Sequence, residues 1–522
     1  MLVDHPDEVF VDVAEGRIPS RPQFARGKVR ENTVARVGGV HDASPIRTGH
    51  DRSMGPIGRH RQSETRAAGT TAPDAPVAQR VGQLMPDLKS DLVRLARIPS
   101  IAFPGFPREP VLEAHKLVVD LLRDAGVGKL ETLNLPDTSP VITGEIPAPP
   151  GAPTVLLYAH YDVQPPGDET LWKTPPFEPT EVDGAIYARG VADDKSNVIV
   201  HVGALRAFGG RPPVGIRVVI EGQEEYGSPL DTYPPQHPEQ FRADAIVVAD
   251  VGNVRPGVPS LTIALRGDAE ILVEARTLDC PKHSGEFGGP APDALIVLLH
   301  ALATLHDGHG DVAVAGLRRE RWTGFSYSEE EFRELAGLGP ALPLFGTGSL
   351  GEHLWSGPAI TVVGIDAPPV TGAINAVVPY ARAKLNLRIH PKQDAAEAQE
   401  ALIRHLQAVR PFGIALTVAP ANDVGDGFAA STSGSAYAAA NAALRTAWGS
   451  DPVSTASGGS IPLTNALHEA VPEAEILLFG AQDGFCNLHA PNERVLLDEL
   501  ERAVIAEAEF FNEYAARKDG AR

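Results

Sequence analysis

Four continuous apolar runs punctuate the chain: residues 154–159 (TVLLYA), 214–221 (VGIRVVIE), 243–250 (ADAIVVAD) and, much later, 473–480 (EAEILLFG). None alternates apolar with polar positions, so each predicts a strand buried on both faces, as in a parallel sheet. Patterns of helical spacing lie between or beside them, at 88–100 (LKSDLVRLARIPS), 111–126 (VLEAHKLVVDLLRDAG) and 196–208 (SNVIVHVGALRAF). Strands alternating with helices predict an α/β fold, a mostly parallel sheet flanked by helices. The texture changes near residue 259. SLTIALRGDAEILVEART (260–277) and ARAKLNLRIHP (381–391) alternate like half-exposed strands, and PDALIVLLHALATL (292–305) reads as a helix. This predicts a smaller α+β domain over 259–391, inserted into a larger one made of 76–258 and 392–522. Residues 1–75 are rich in Arg, Gly, Pro and Ser without sustained periodicity, which predicts a disordered tail.

Composition narrows the function. The formal net charge of -21 argues against a nucleic-acid binder held by phosphate contacts. Two cysteines, Cys280 and Cys486, are too few for a disulfide scaffold or a thiolate zinc finger. The longest apolar run, from Ala294, is about twelve residues, short of the roughly 20 a membrane helix needs. With no secretory h-region, a cytoplasmic location away from membranes is expected.

The strand ends carry the chemistry. The first run leads into His160 and Asp162, the second into Glu221, Glu224 and Glu225, the third ends on Asp250, and the fourth soon reaches His489. Asp193 and Asp194 sit in GVADDKSN, ahead of a helix. In an open α/β sheet the carboxyl ends of the strands form the ligand-binding edge. One histidine or aspartate there is more often a loop cap than a ligand, but several acidic loops converging repel one another unless cations lie among them. Histidine with carboxylates and no thiolate suits zinc, manganese or cobalt, and the donors suffice for two ions sharing a carboxylate. His160 then reads as a ligand, with Asp162 holding its other ring nitrogen. Three other motifs fail. GTGSLG (346–351) lacks a clean preceding strand, HEAVP (468–472) lacks the second zincin histidine, and Pro462 breaks the serine-hydrolase elbow in GGSIP.

The motifs YAHYDVQPPG, LWKTPPFEP, YARGVADDKSN, EGQEEYGS, KHSGEFGG, LNLRIHP, GGSIP and NLHAPNERV together resemble a known family over about 77–516. These are the dinuclear zinc amidohydrolases that include carnosinase and other dipeptidases, aminoacylase, glutamate carboxypeptidase and succinyl-diaminopimelate desuccinylase; the dipeptidase branch is the most similar. The resemblance implies a zinc-exopeptidase-like fold whose inserted domain serves as lid and dimerisation unit. It implies that His160 and Asp250 bind one divalent ion, Glu225 and His489 the other, and that Asp193 bridges them beside a cis peptide to Asp194. Glu224 matches the general base and Asp162 the buttress of His160. His283 matches a histidine that reaches the partner subunit's active site in a homodimer, Arg388 the grip on the substrate carboxylate, and Gly458, Gly459, Ser460 and Ile461 a substrate-contacting turn. Ala456 and Ser457 replace the Arg-Glu pair that carnosinase-like members carry before that turn, a departure that tells against carnosine itself as the substrate and leaves the metal site untouched. The activity implied is two-metal hydrolysis of dipeptides or small peptides with a free C-terminal carboxylate, using Zn2+, or Mn2+ or Co2+. Deacylation or desuccinylation of N-acyl amino acids is the alternative on the same centre. A catalytically silent relative would have no reason to keep Glu224 beside intact ligands.

Overall fold

The computed structural model describes residues 75–421 and 424–519. The tail expected over 1–75 lies outside the described residues except for its last position.

The nine-stranded sheet is built around four parallel strands: Gly215–Glu221, Thr154–His160, Ala245–Val248 and Glu475–Leu478, in that order. The first apolar run thus lies between the second and the third, and the fourth lies beyond the third. Their unbroken hydrophobicity has the predicted cause, because alternate side chains enter two separate cores. Val155, Leu157 and Ala159 pack under the helices Val77–Ala96, Lys195–Ala207 and Leu497–Asp519. Leu156 and Tyr158 face the opposite layer, with Leu230, Phe241 and Leu467. Antiparallel strands Gly128–Leu133 and Val141–Ile146 close one edge. Ser260–Leu265, Phe428–Ala429 and Val453–Ser457 close the other. Among the described residues no helix is long and apolar enough to cross a membrane.

A separate four-stranded antiparallel sheet has the order Ala359–Asp366, Tyr380–Ile389, Gly267–Arg276, Thr417–Pro420. Burial alternates strictly along Gly267–Arg276, and the buried face meets the helices Ala294–Leu302 and Ala395–Val409. Sheet membership therefore differs from the expected limits of 259 and 391. Ser260–Leu265 belongs to the large sheet, because the alternating run 260–277 continues through Arg266 while the chain changes sheets there. Ala395–Val409 and Thr417–Pro420 belong with the small sheet, because an amphipathic helix pattern does not say which sheet it covers. The chain leaves and returns at one place: Leu265 pairs with Phe428, and Asp268 and Gly425 exchange N–H···O bonds of 2.8 and 2.9 Å. A Cβ on Gly267 would lie 2.8 Å from the Gly425 carbonyl oxygen, so only glycine lets the two crossings touch.

Candidate metal centre

Strand pairing sets the centre. His160 ends the central strand opposite Glu221, and the loops after four neighbouring strands meet above it. The buried His160 ring places Nε2 3.1 Å from Asp193 Oδ1 and 3.8 Å from Asp250 Oδ1. The other Asp193 oxygen lies 3.0 Å from His489 Nε2, which is itself 3.2 Å from Glu225 Oε2. One aspartate thus faces both histidines, each with its own second carboxylate. His160, Glu224 and Asp250 offer donor atoms within 4.8 Å of one another, as do His160, Asp193 and Glu225.

Other groups hold this arrangement. His160 Nδ1 is 3.2 Å from the Asp162 carbonyl and 3.3 Å from its carboxylate. The Asp162 carboxylate also accepts the N–H groups of Glu224 (3.0 Å) and Glu225 (3.2 Å), so it locks the acidic loop to the histidine. The Asp193–Asp194 peptide is cis, and Asp194 accepts the His160 N–H at 3.0 Å. Glu221, by contrast, bonds to Tyr158 and Ser228; it is a buried structural acid that burial pushes up to about 8.

Electrostatics shows what the cluster lacks. Among the described residues no lysine or arginine pairs with Asp193, Glu224, Glu225 or Asp250. Burial, then the charge of Asp193, pushes Glu225 up to about 7. Burial, then the charges of Asp250 and Glu225, holds Glu224 well above the usual carboxylate range. Burial would lower His160, yet Asp162, Asp193 and Asp250 raise it well above normal. Hydrogen bonds to Asp193 and Glu225 lift His489 to about 10. A cluster this rich in buried negative charge, with the buried His160 and the exposed His489 at its rim among its donors, fits divalent cations.

The predicted residues His160, Asp162, Asp193, Glu224, Glu225, Asp250 and His489 therefore meet. Two do not join them. His283 is exposed on the short strand Lys282–His283, paired with Ala376–Val377, and touches none of the cluster among the described residues. Arg388 lies in the small sheet, 3.2 Å from Asp268. Gly458 to Ile461 lead into the helix Pro462–Ala470, and Gly458 lines a cavity that also reaches Asp250.

Three contributors escaped sequence reasoning. Buried Glu493 accepts Arg189 Nη1 (2.7 Å) and the N–H groups of Gly190, Ala192 and Asp193 (2.9, 2.9 and 3.1 Å), fixing the loop that carries Asp193. Gln164 donates its backbone and side-chain N–H to Glu225, at 3.1 and 2.8 Å. Arg266 is buried, donates to the His353 carbonyl, has no carboxylate partner among the described residues and lies against Gly458, where a Cβ would sit 3.1 Å from its Nη2. Burial, with the nearby charge of Arg388, lowers it to about 10. Position in NLHAPNERV and HYDVQ was the available signal for the first two; Arg266 offered none.

Comparison with known proteins agrees with this geometry. The sequence profile of Peptidase family M20/M25/M40 matches residues 156–513. The cysteinylglycine-S-conjugate dipeptidase of Corynebacterium striatum is 38% identical over 410 residues, covering 77% of this chain and 90% of that protein. The Cys-Gly metallodipeptidase of Saccharomyces cerevisiae is 26% identical over 453 residues, covering 80% and 93%. The crystal structure of human carnosine dipeptidase 1 superposes with a TM-score of 0.71 at 26% identity, covering 84% of this chain and 98% of that one.

Proposed function

This chain belongs to peptidase family M20/M25/M40, a family of metal-dependent hydrolases acting on peptide bonds, and from that premise we propose that it cleaves dipeptides carrying a free C-terminal carboxylate. His160 and Asp250 would hold one divalent ion, Glu225 and His489 the second, with Asp193 between them; zinc suits the donor set best. Such ions polarise a scissile carbonyl and make water a competent nucleophile near neutral pH.

The observation that carries the reading is Glu224. Its carboxylate stands in the donor cluster with His160 and Asp250, yet accepts no hydrogen bond from a protein donor among the described residues. It is free to take a proton from the attacking water and return it to the leaving amine. Asp162 keeps His160 oriented, while Arg388 and the 458–461 turn receive the substrate's carboxylate end, since a guanidinium fork matches a carboxylate. The protein acts in the cytoplasm as a homodimer. Exposed Val362, Val363 and Ile365 on the outer strand of the small sheet support pairing, and His283 would reach the partner's centre.

The deciding experiment offers the zinc-, manganese- or cobalt-loaded protein Cys-Gly, β-Ala-His, C-amidated dipeptides and N-acetyl or N-succinyl amino acids. Free dipeptides should be hydrolysed and chelation should stop the reaction. Turnover of N-acyl amino acids alone would overturn the dipeptidase reading. The dimer is tested by mixing inactive His283→Ala and Glu224→Gln proteins: a site shared across the interface restores roughly a quarter of the activity at random exchange. No recovery despite proven exchange sinks it.

A further inference from the structure

A cavity of about 440 Å3 opens on the donor cluster. Asp250 and Gly458 line it together with the apolar side chains of Phe332, Leu335, Leu354 and Trp355 and the polar ones of Thr262 and Thr455. Two other cavities, beside Lys129 and Arg217 and beside Glu329 and Arg333, touch none of the cluster residues. A dipeptide spans at most about 7 Å when extended. With its scissile carbonyl at the cluster, its side chains reach only a cavity that begins there.

The apolar part of this lining is built to stay in place. Tyr327 turns its hydroxyl to the Val254 carbonyl (3.3 Å), leaving its ring against Trp355 at 5.7 Å between centroids. Trp322 supports Trp355 from behind, at 5.4 Å. The short helix Glu329–Leu335 is capped by Ser328 and tied by an Arg255–Glu331 ion pair to the loop that follows Asp250. Several polar lining groups are already engaged. Asp483 is held by Arg494, and Gln482 donates to the Ala192 carbonyl.

We propose that this cavity is a side-chain subsite for a bulky apolar residue, so that the preferred substrates are dipeptides with one large hydrophobic or aromatic side chain. The inference rests on the dipeptidase reading and adds the substrate class to it. Its volume falls within the roughly 300–1,000 Å3 of small-molecule sites lined by apolar side chains. A single methylene in such a pocket is worth roughly 10- to 200-fold in specificity.

The test measures kcat/KM of the full-length, zinc-loaded protein for Phe-Ala, Ala-Phe and Ala-Ala. One of the two phenylalanine dipeptides should exceed Ala-Ala by at least about tenfold. Ala336→Trp, which narrows the cavity, should cut that ratio by about tenfold or more. Leu335→Asn, which makes its wall polar, should lower it in the same direction, and supplies the reading if the first variant does not fold. A wild-type ratio near one for both orders, or a ratio unmoved in folded variants, overturns the subsite while leaving dipeptidase activity standing. If none of the three is cleaved while Cys-Gly or β-Ala-His is, the subsite fails alone; if no free dipeptide is cleaved, the dipeptidase reading fails and the subsite with it.

Discussion

Replacing Glu493 with glutamine tests whether the Asp193 loop depends on a single buried carboxylate. Its oxygens accept four hydrogen bonds, Arg189 and Gly190 on one side, Ala192 and Asp193 on the other. A carboxamide keeps one acceptor oxygen, so one pair of donors must face an NH2 group. If the oxygen stays over Ala192 and Asp193, buried Arg189 loses its counter-ion at a cost of about 3–5 kcal/mol. The Gly190 N–H is then also left unmet, which adds about 1–3 kcal/mol. The flipped amide strands two N–H groups instead, that of Asp193 among them, and still leaves Arg189 without an anion. Either way about 4 kcal/mol or more is lost, a large part of a typical total of roughly 5–15. Thermal unfolding of the metal-loaded variant should begin far below wild type. Metal affinity, read by chelator competition, should fall about 10- to 100-fold, as when an outer partner of a ligand is removed. A variant with wild-type melting and wild-type metal affinity would refute this account of Glu493.

Glu224→Gln should retain its metal by elemental analysis while turnover drops roughly 10²- to 10⁴-fold; lost metal would mean that Glu224 is a ligand rather than the base. Arg388→Ala should raise KM for free dipeptides far more than for C-amidated ones, and equal weakening of both would make Arg388 a structural partner of Asp268 alone. The buried His201 donates from Nδ1 to Glu507 at 2.8 Å and from Nε2 to the Tyr158 carbonyl at 3.1 Å. Burial opposes its charge, but Glu507 wins and raises its pKa above the ordinary value. Its contribution to stability is therefore complete below about pH 6.5 and is lost as pH rises through the elevated folded value. The stability gap between wild type and His201→Asn should narrow with rising pH in denaturant titrations; a constant gap from acid to alkaline pH would rule this out.

The parallel core and most of the donor cluster were legible in the sequence for one reason. Continuous apolar strands announce themselves, and in this fold their ends share one edge, so His160, Glu225 and Asp250 could be grouped before any geometry was known. What pattern does not encode is which sheet a segment joins. The alternation across 260–277 is equally good on both sides of Arg266, although the chain changes sheets there. Glu493 was hidden differently. It is an acidic residue in a polar loop, and only its burial against three backbone N–H groups separates it from a surface glutamate.

The pairing of Leu265 with Phe428 makes the edge of the large sheet a β-hairpin whose connection is a whole second unit. Such an attachment is modular. A short turn joining Leu265 to Phe428 would preserve the hairpin register and every cluster ligand, since His160, Asp193, Glu225 and Asp250 precede it and His489 follows it. The grafted unit brings Arg388 and His283, and with them the proposed recognition of substrate and partner. The metal ligands and the proposed recognition residues thus reside on two units joined at a neck two strands wide, where Gly267 meets Gly425.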